Sequence, residues 1–196
     1  MKKSIFIILS FLFFSPSFSQ DPHFTQYYAN PLFLNPALAG GEYCPRVITN
    51  YRNQWPMMAG NFETYSASFD LTLEPVHGGL GLLILHDDAG NGTIKSTFAS
   101  LIYSYHTKIS RKIDLLTGFQ VSSHQRSLDP NLWFGDQIDE IYGFVYPTQD
   151  DIVNGGIISK SYLDFSIGTL ISSNSFFLGL VAHHLTEPEE AFLAAG

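Results

Sequence analysis

Residues 62–72 alternate strictly between two kinds of surface. Tyr65, Ala67, Phe69 and Leu71 fall on one side, and Thr64, Ser66, Ser68, Asp70 and Thr72 on the other. Successive side chains of a strand point to opposite faces, so this spacing specifies a strand with one apolar and one polar face. Ala99, Leu101, Tyr103 and Tyr105 alternate in the same way with Ser100, Ser104 and His106. Ile113, Leu115, Phe119 and Val121 do so against Asp114, Gln120, Ser122 and His124, blurred only at Leu116 and Thr117. Weaker versions cover 46–54, 78–86, 162–172 and 176–184. The expectation is an all-β chain of about seven antiparallel strands, each about 9–12 residues long. Strands of soluble domains average about 5–6 residues. About 9–11 tilted residues cross a bilayer, so the lengths favour a transmembrane β-barrel over a soluble sandwich.

The connections point the same way. Those expected at 73–77, 109–112 and 173–175 are short, and those at 55–61, 87–95 and 127–161 are longer. Strict alternation of tight turns and long loops is the asymmetry of outer-membrane barrels, with the turns periplasmic.

An export signal precedes the strands. Lys2 and Lys3 lead into an apolar run from Ile5 to Phe14, and Ser17 and Ser19 supply small residues for cleavage before Gln20. The run is too short for a membrane-spanning helix of about 20 residues, and no cysteine lies nearby for lipid attachment. A net charge of −8 argues against nucleic acid as a partner. One cysteine, Cys44, excludes an internal disulfide framework. Aromatic residues make up 15% of the chain and charged residues only 14%, which suits a barrel wall in lipid.

Between the signal and the first strand, residues 20–45 form a separate segment. Pro22, Pro31 and Pro36 make it turn-rich, and the Asn30-Pro31 and Asn35-Pro36 pairs push each asparagine out of the α region. Phe24, Tyr27, Tyr28, Leu32, Phe33, Leu34 and Leu38 make it too apolar for a solvated linker. It has two places to hide, a barrel lumen or a periplasmic partner. The long connection at 127–161 is both acidic and aromatic, with Trp133, Phe134, Ile138, Ile141, Tyr142, Phe144, Val145 and Tyr146. It is expected to fold over the barrel mouth or to present a partner-binding surface.

Catalytic and metal motifs are weak. His183 and His184 precede Glu187, Glu189 and Glu190, but adjacent residues of a strand face opposite ways, so the pair is expected not to converge without a bend. Asp87-Asp88-Ala89-Gly90-Asn91-Gly92 has calcium-loop letters without the spacing or terminal Glu of an EF-hand, and reads better as a turn. No hydrolase, phosphate-loop or zinc signature occurs. No enzyme activity, metal or cofactor is expected.

Several stretches carry a family resemblance. They are DPHFTQYYANPLFLNPALAG at 21–40, CPRVITNYRNQWP at 44–56, TYSASFD at 64–70, HGGLGL at 77–82, YSYHTKISRK at 103–112, FGDQID at 134–139, YGFVYPT at 142–148 and HHLTEPEEAF at 183–192. Together they resemble the PorP/SprF family, outer-membrane proteins of the type IX secretion system of Bacteroidetes. The resemblance implies a non-enzymatic β-barrel in the outer membrane, exported by the Sec pathway. Its partners would be type IX components, outer-membrane lipid and a secreted surface protein, gliding adhesins among them. Partner contacts are expected from Phe24, Tyr27, Tyr28, Asn30, Pro31, Leu32, Asn35 and Pro36 of the segment. Trp133, Phe134, Asp136 and Tyr142 are expected to add contacts from the long loop. Residues 46–196 look like an incomplete barrel, because seven is an odd number of strands and bacterial single-chain barrels close with even numbers. A passive porin and a soluble secreted β-sandwich are the alternatives. If the leader is a Sec signal, mass spectrometry of the exported protein finds Gln20 at its N-terminus; retention of residues 1–19 overturns that.

Overall fold

The computed structural model describes residues 24–58, 60–129, 135–139, 141–148, 159–173 and 175–186. The expected signal sequence, Trp133, Phe134 and residues 187–196 lie outside them. The main sheet has seven strands: β1 (Arg46–Gln54), β2 (Phe62–Leu73), β3 (Gly78–Ala89), β4 (Ile94–Ser110), β5 (Ile113–Leu128), β8 (Ser159–Ser173) and β9 (Phe177–Ala182). Each pairs antiparallel with the next in that order, a meander without crossovers. A two-stranded hairpin, β6 (Ile138–Asp139) and β7 (Gly143–Phe144), sits within the β5–β8 connection. The first strand has the bounds its alternation specifies. Three others outrun expectation: β4, β5 and β8 have 17, 16 and 15 residues.

Burial is inverted relative to a soluble sheet. In β2 the polar Thr64, Ser66, Ser68 and Asp70 are buried, while Tyr65 and Phe69 are 46% and 37% exposed. Leu80, Leu82 and Ile84 of β3, Leu101, Tyr103 and Tyr105 of β4, and Leu163 and Ile167 of β8 are likewise exposed. Register aligns these side chains into rows across the sheet. Val47, Phe69, Leu82, Leu101, Val121 and Phe165 form a middle row. Leu71, Leu80, Tyr103, Phe119 and Ile167 form the next row towards the tight turns. On the other side, after a row containing Ala67, Ile84, Ala99 and Leu163, the pattern turns polar at His86, Thr97, Gln125 and Ser161. Residues of one face repeat every ~6.6 Å along a strand, so the three apolar rows cover roughly 20 Å of strand length. Water would not tolerate a continuous apolar surface of that size on a monomer. Lipid does, and a single layer with this polarity is the wall of a transmembrane β-barrel, not half of a soluble sandwich.

One connection is shorter than expected. The β3–β4 link comprises only residues 90–93, because Asp87, Asp88 and Ala89 pair with Ser96, Lys95 and Ile94 and extend the ladder. Asp88 then accepts the Gly92 N–H, and Thr64 Oγ1 donates to Asp87 at 2.6 Å. The polar letters that read as loop are the ends of two strands beyond the apolar belt. The link matches the four residues between β2 and β3, so alternation of loop length is weaker than predicted. The β1–β2 and β5–β8 connections keep the longer loops on one side.

An arginine in the middle of the lipid face should cost about 2–4 kcal/mol, and one at its margin about 0–1. Leu101→Arg is therefore expected to lower refolding stability in lipid vesicles far more than Thr97→Arg, in urea titrations of both. Equal losses would mean that the belt does not face lipid.

Candidate functional site on the inner face

The N-terminal segment lies on the polar side of the sheet. It consists of three single turns of helix, Tyr27–Ala29, Pro31–Leu34 and Pro36–Leu38. Each Asn-Pro pair sets a boundary. Asn30 and Asn35 have non-helical backbones as N-caps, and the proline after each begins a turn with its fixed φ. The Asn35 side chain caps the last turn by accepting the Ala37 N–H at 2.9 Å. Leu32, Ala37 and Ala39 are fully buried. Leu32 and Ala39 form one core with Leu83 and Ile102, with Phe33 and Phe98 packed against it. Burying Leu32 contributes on the order of 1.5–3 kcal/mol.

A row of small residues makes this approach possible. Gly79, Ser104, Gly118 and Gly168 are register partners on β3, β4, β5 and β8 and share the inner face. A Cβ on Gly79 would lie within 3.0 Å of Ala39 and Gly40, one on Gly118 within 3.0 Å of Pro36 and Ala37, and one on Gly168 within 3.0 Å of Asn35. Gly79 and Gly118 leave room for backbone to meet backbone, and Gly168 for the Asn35 side chain. Polar contacts then fix the chain along this row. Asn35 Nδ2 donates to Thr169 O at 3.3 Å and Leu180 O at 3.2 Å, bridging β8 and β9. Ser104 donates to Ala39 O, and Thr72 Oγ1 donates to Gly40 O at 2.8 Å. Gly40 N donates to Asp70 Oδ2 at 2.9 Å, and Arg46 grips the same carboxylate through Nε and Nη2 at 2.9 and 3.0 Å. Asn30 Nδ2 donates to Ser66 Oγ at 3.2 Å.

Beside the segment, on the side of the longer loops, is a cavity of about 310 Å³. The segment supplies Tyr27, Phe33 and Leu34 to it; the sheet supplies Phe98, Gln120, Ser122, His124, Asp164 and Ser166, and the β9 end supplies Val181, His183 and His184. Phe98, His124 and Tyr162 are cross-strand partners whose rings stack at 5.0 and 4.9 Å, and Phe33 joins this column at 6.3 Å from Phe98. The two adjacent histidines both reach the inner face, contrary to expectation. Strand β9 ends at Ala182, and His184 takes a left-handed backbone with φ 55°, which supplies the bend. His183 Nδ1 lies 3.2 Å from Ser166 Oγ, and His184 Nδ1 lies 2.9 Å from Asp164 Oδ2. No group of three or more metal-ligating side chains occurs among the described residues.

The expected partner residues separate into two kinds. Asn30, Leu32, Asn35 and Pro36 are buried against the sheet. Phe24 packs edge-on to Phe33 at 5.9 Å, and Pro31 opens the helical turn behind it. Tyr27 and Tyr28 remain 61% and 65% exposed. Tyr142 lies in the turn of the β6–β7 hairpin and Asp136 in the short helical turn just before it, both away from this site in the sequence, while Trp133 and Phe134 lie outside the described residues. In the hairpin Asp139 accepts Tyr142 N and Ile141 N at 2.9 and 2.8 Å and Tyr146 Oη at 2.9 Å. These bonds, Tyr142 N first, hold its carboxyl below the usual carboxylate range. Ile141 and Tyr142 stand at its tip 82% and 77% exposed. The cavity residues Gln120, His124, Asp164 and Ser166 were not anticipated. The usable signal was glycine inside strand patterns at 79, 118 and 168, which marks a face that another backbone approaches.

An antiparallel sheet that turns an apolar belt outward and fills its polar face with its own N-terminal segment defines a membrane protein of the β-barrel class. The family profile described as type IX secretion system membrane protein PorP/SprF matches residues 17–193, and the chain belongs to that family. No curated protein and no solved structure matches it.

If the glycine row seats the segment, Gly118→Val should expel it and expose residues 24–40 to protease, with the strands still formed. Asn35→Ala should cost about 1–3 kcal/mol by removing two part-buried side-chain hydrogen bonds and the cap on Ala37 N. Limited proteolysis and urea unfolding in detergent measure both; an unchanged digestion pattern for Gly118→Val would contradict the packing.

Proposed function

We propose that this protein acts in the bacterial outer membrane, after Sec export, as a non-enzymatic type IX secretion component that supports secretion or holds a secreted protein at the surface. The family supplies the system. The observation that carries the binding role is the occupied inner face: residues 30–40 fill the space that a solute pathway would need. A wall whose polar side is packed with its own backbone is poorly suited to passive flux, which weakens the porin alternative. Accessible apolar surface is left at Tyr27 and Tyr28 beside the cavity and at the β6–β7 hairpin tip, and these are the surfaces a partner would meet. Gliding adhesins are the cargo class that the family resemblance implies.

The deletion of residues 21–40 tests the occupied face. Cells carrying it should assemble the protein in the outer membrane and become permeable to large antibiotics. Lost secretion without leak would instead make the segment a docking element. Crosslinking the intact protein in outer membranes should recover type IX components and one secreted surface protein; recovery of lipid alone would sink the proposal.

A further inference from the structure

The tight turn between β4 and β5 gathers cations in an acidic chain, and we infer that it binds the headgroups of anionic phospholipids. The inference rests on the barrel-wall reading of the sheet. Three of the chain's ten lysines and arginines stand within residues 108–112, although the net charge is −8. They are Lys108, Arg111 and Lys112, and every residue from Thr107 to Lys112 is exposed. Lys108 has Asp114 opposite it in register. Arg111 and Lys112 form the turn itself and make no ion pair among the described residues. Glu42 and Glu74 belong to other connections, the one before β1 and the one between β2 and β3.

The lipid face leads up to these cations. On β4, β5, β8 and β9 it continues two rows past Tyr103, Phe119 and Ile167. Tyr105, Thr117, Thr169 and Leu180 make the first, and Thr107, Leu115, Ile171 and Leu178 the second. Tyr105, Leu178 and Leu180 are exposed, as is Ile109 at the end of β4. The register pair Ile113–Ser173 sets the β8–β9 turn next to the β4–β5 turn, which brings the exposed Phe176 and Phe177 to the same end. Aromatic rings and cations at the end of an apolar face mark the level where acyl chains give way to headgroups. There a lysine or arginine keeps its stem along apolar surface and its charge among the phosphates. Arginine also holds a phosphate through two N–H groups at once. An acidic protein surface would supply the charge but would leave the apolar margin of the hairpin uncovered.

The test titrates the full chain in nonionic detergent with dihexanoyl-phosphatidylglycerol, dihexanoyl-phosphatidylcholine and inorganic phosphate, read by NMR at the amides of residues 108–114. The glycerol lipid should bind on the order of ten-fold tighter than the choline lipid, because each of the two cations favours an anionic headgroup. Arg111→Gln combined with Lys112→Gln should bring the two lipids to equal affinity. Lys95→Gln, at the opposite end of β4, should keep the preference. Equal affinities in the unaltered protein, or a preference that survives the double substitution, overturn the inference. So does inorganic phosphate binding as tightly as the glycerol lipid, which would make the turn a free-anion site. Crosslinking of the turn to a periplasmic protein, without a lipid preference, would make it a protein-docking element and overturn it equally. Insertion into vesicles without a lipid preference leaves the barrel wall standing; failure to insert into vesicles of either lipid removes the reading beneath the inference.

Discussion

Close contact between residues 35–40 and the Gly79–Ser104–Gly118–Gly168 row, backbone against backbone at Gly79 and Gly118, is the constraint on which the rest of this structure depends. A β-barrel wall of this width has a polar face that must be wetted or filled. Here a stretch of apolar chain fills it, which looks unfavourable until the contacts are named. The apolar atoms of Leu32 and Ala39 meet Leu83 and Ile102, the few apolar side chains turned inward there. The backbone polar groups of the segment meet Asp70, Thr72, Ser104 and the Asn35 amide. Hydrophobic burial holds one part of the segment and side-chain hydrogen bonds the other. Any Cβ on the glycine row would lift the whole arrangement off the sheet.

Much of the fold was legible because its signal is local. Strand β1 carries its alternation from Arg46 to Gln54, and the Tyr65/Ser66 alternation of β2 fixes which side meets lipid. Where legibility failed, the reason was interaction between distant residues. Asp87 and Asp88 read as loop because polar side chains normally leave a strand, yet here they lie above the apolar belt and still pair with Ser96 and Lys95. The histidine pair was read as divergent on strand geometry, and the left-handed backbone at His184 undoes that rule after one residue. The segment showed that something had to cover it. That the cover was a row of three glycines and a serine across four strands could not follow from periodicity, since glycine contributes to neither face.

The candidate site was the least legible part for the same reason. Asn30 and Asn35 stand out beside prolines, but their side chains serve the chain itself, reaching Ser66 on one side and Thr169 and Leu180 on the other. Tyr27 and Phe33 become cavity walls only after those asparagines have set the turns. Gln120 and Asp164 are ordinary inward positions of β5 and β8; the neighbouring rows give them meaning.

Asn35 also joins the two ends of the described chain in time. Its amide meets carbonyls 134 and 145 residues further along, so this contact can form only after β8 and β9 exist. The segment precedes β1 in the chain, so its apolar turns find their full cover only once the last strands have paired. Loss of β9 would take away one of the two carbonyls that Asn35 Nδ2 reaches, so the last strand of the sheet is felt at the first turns of the described chain.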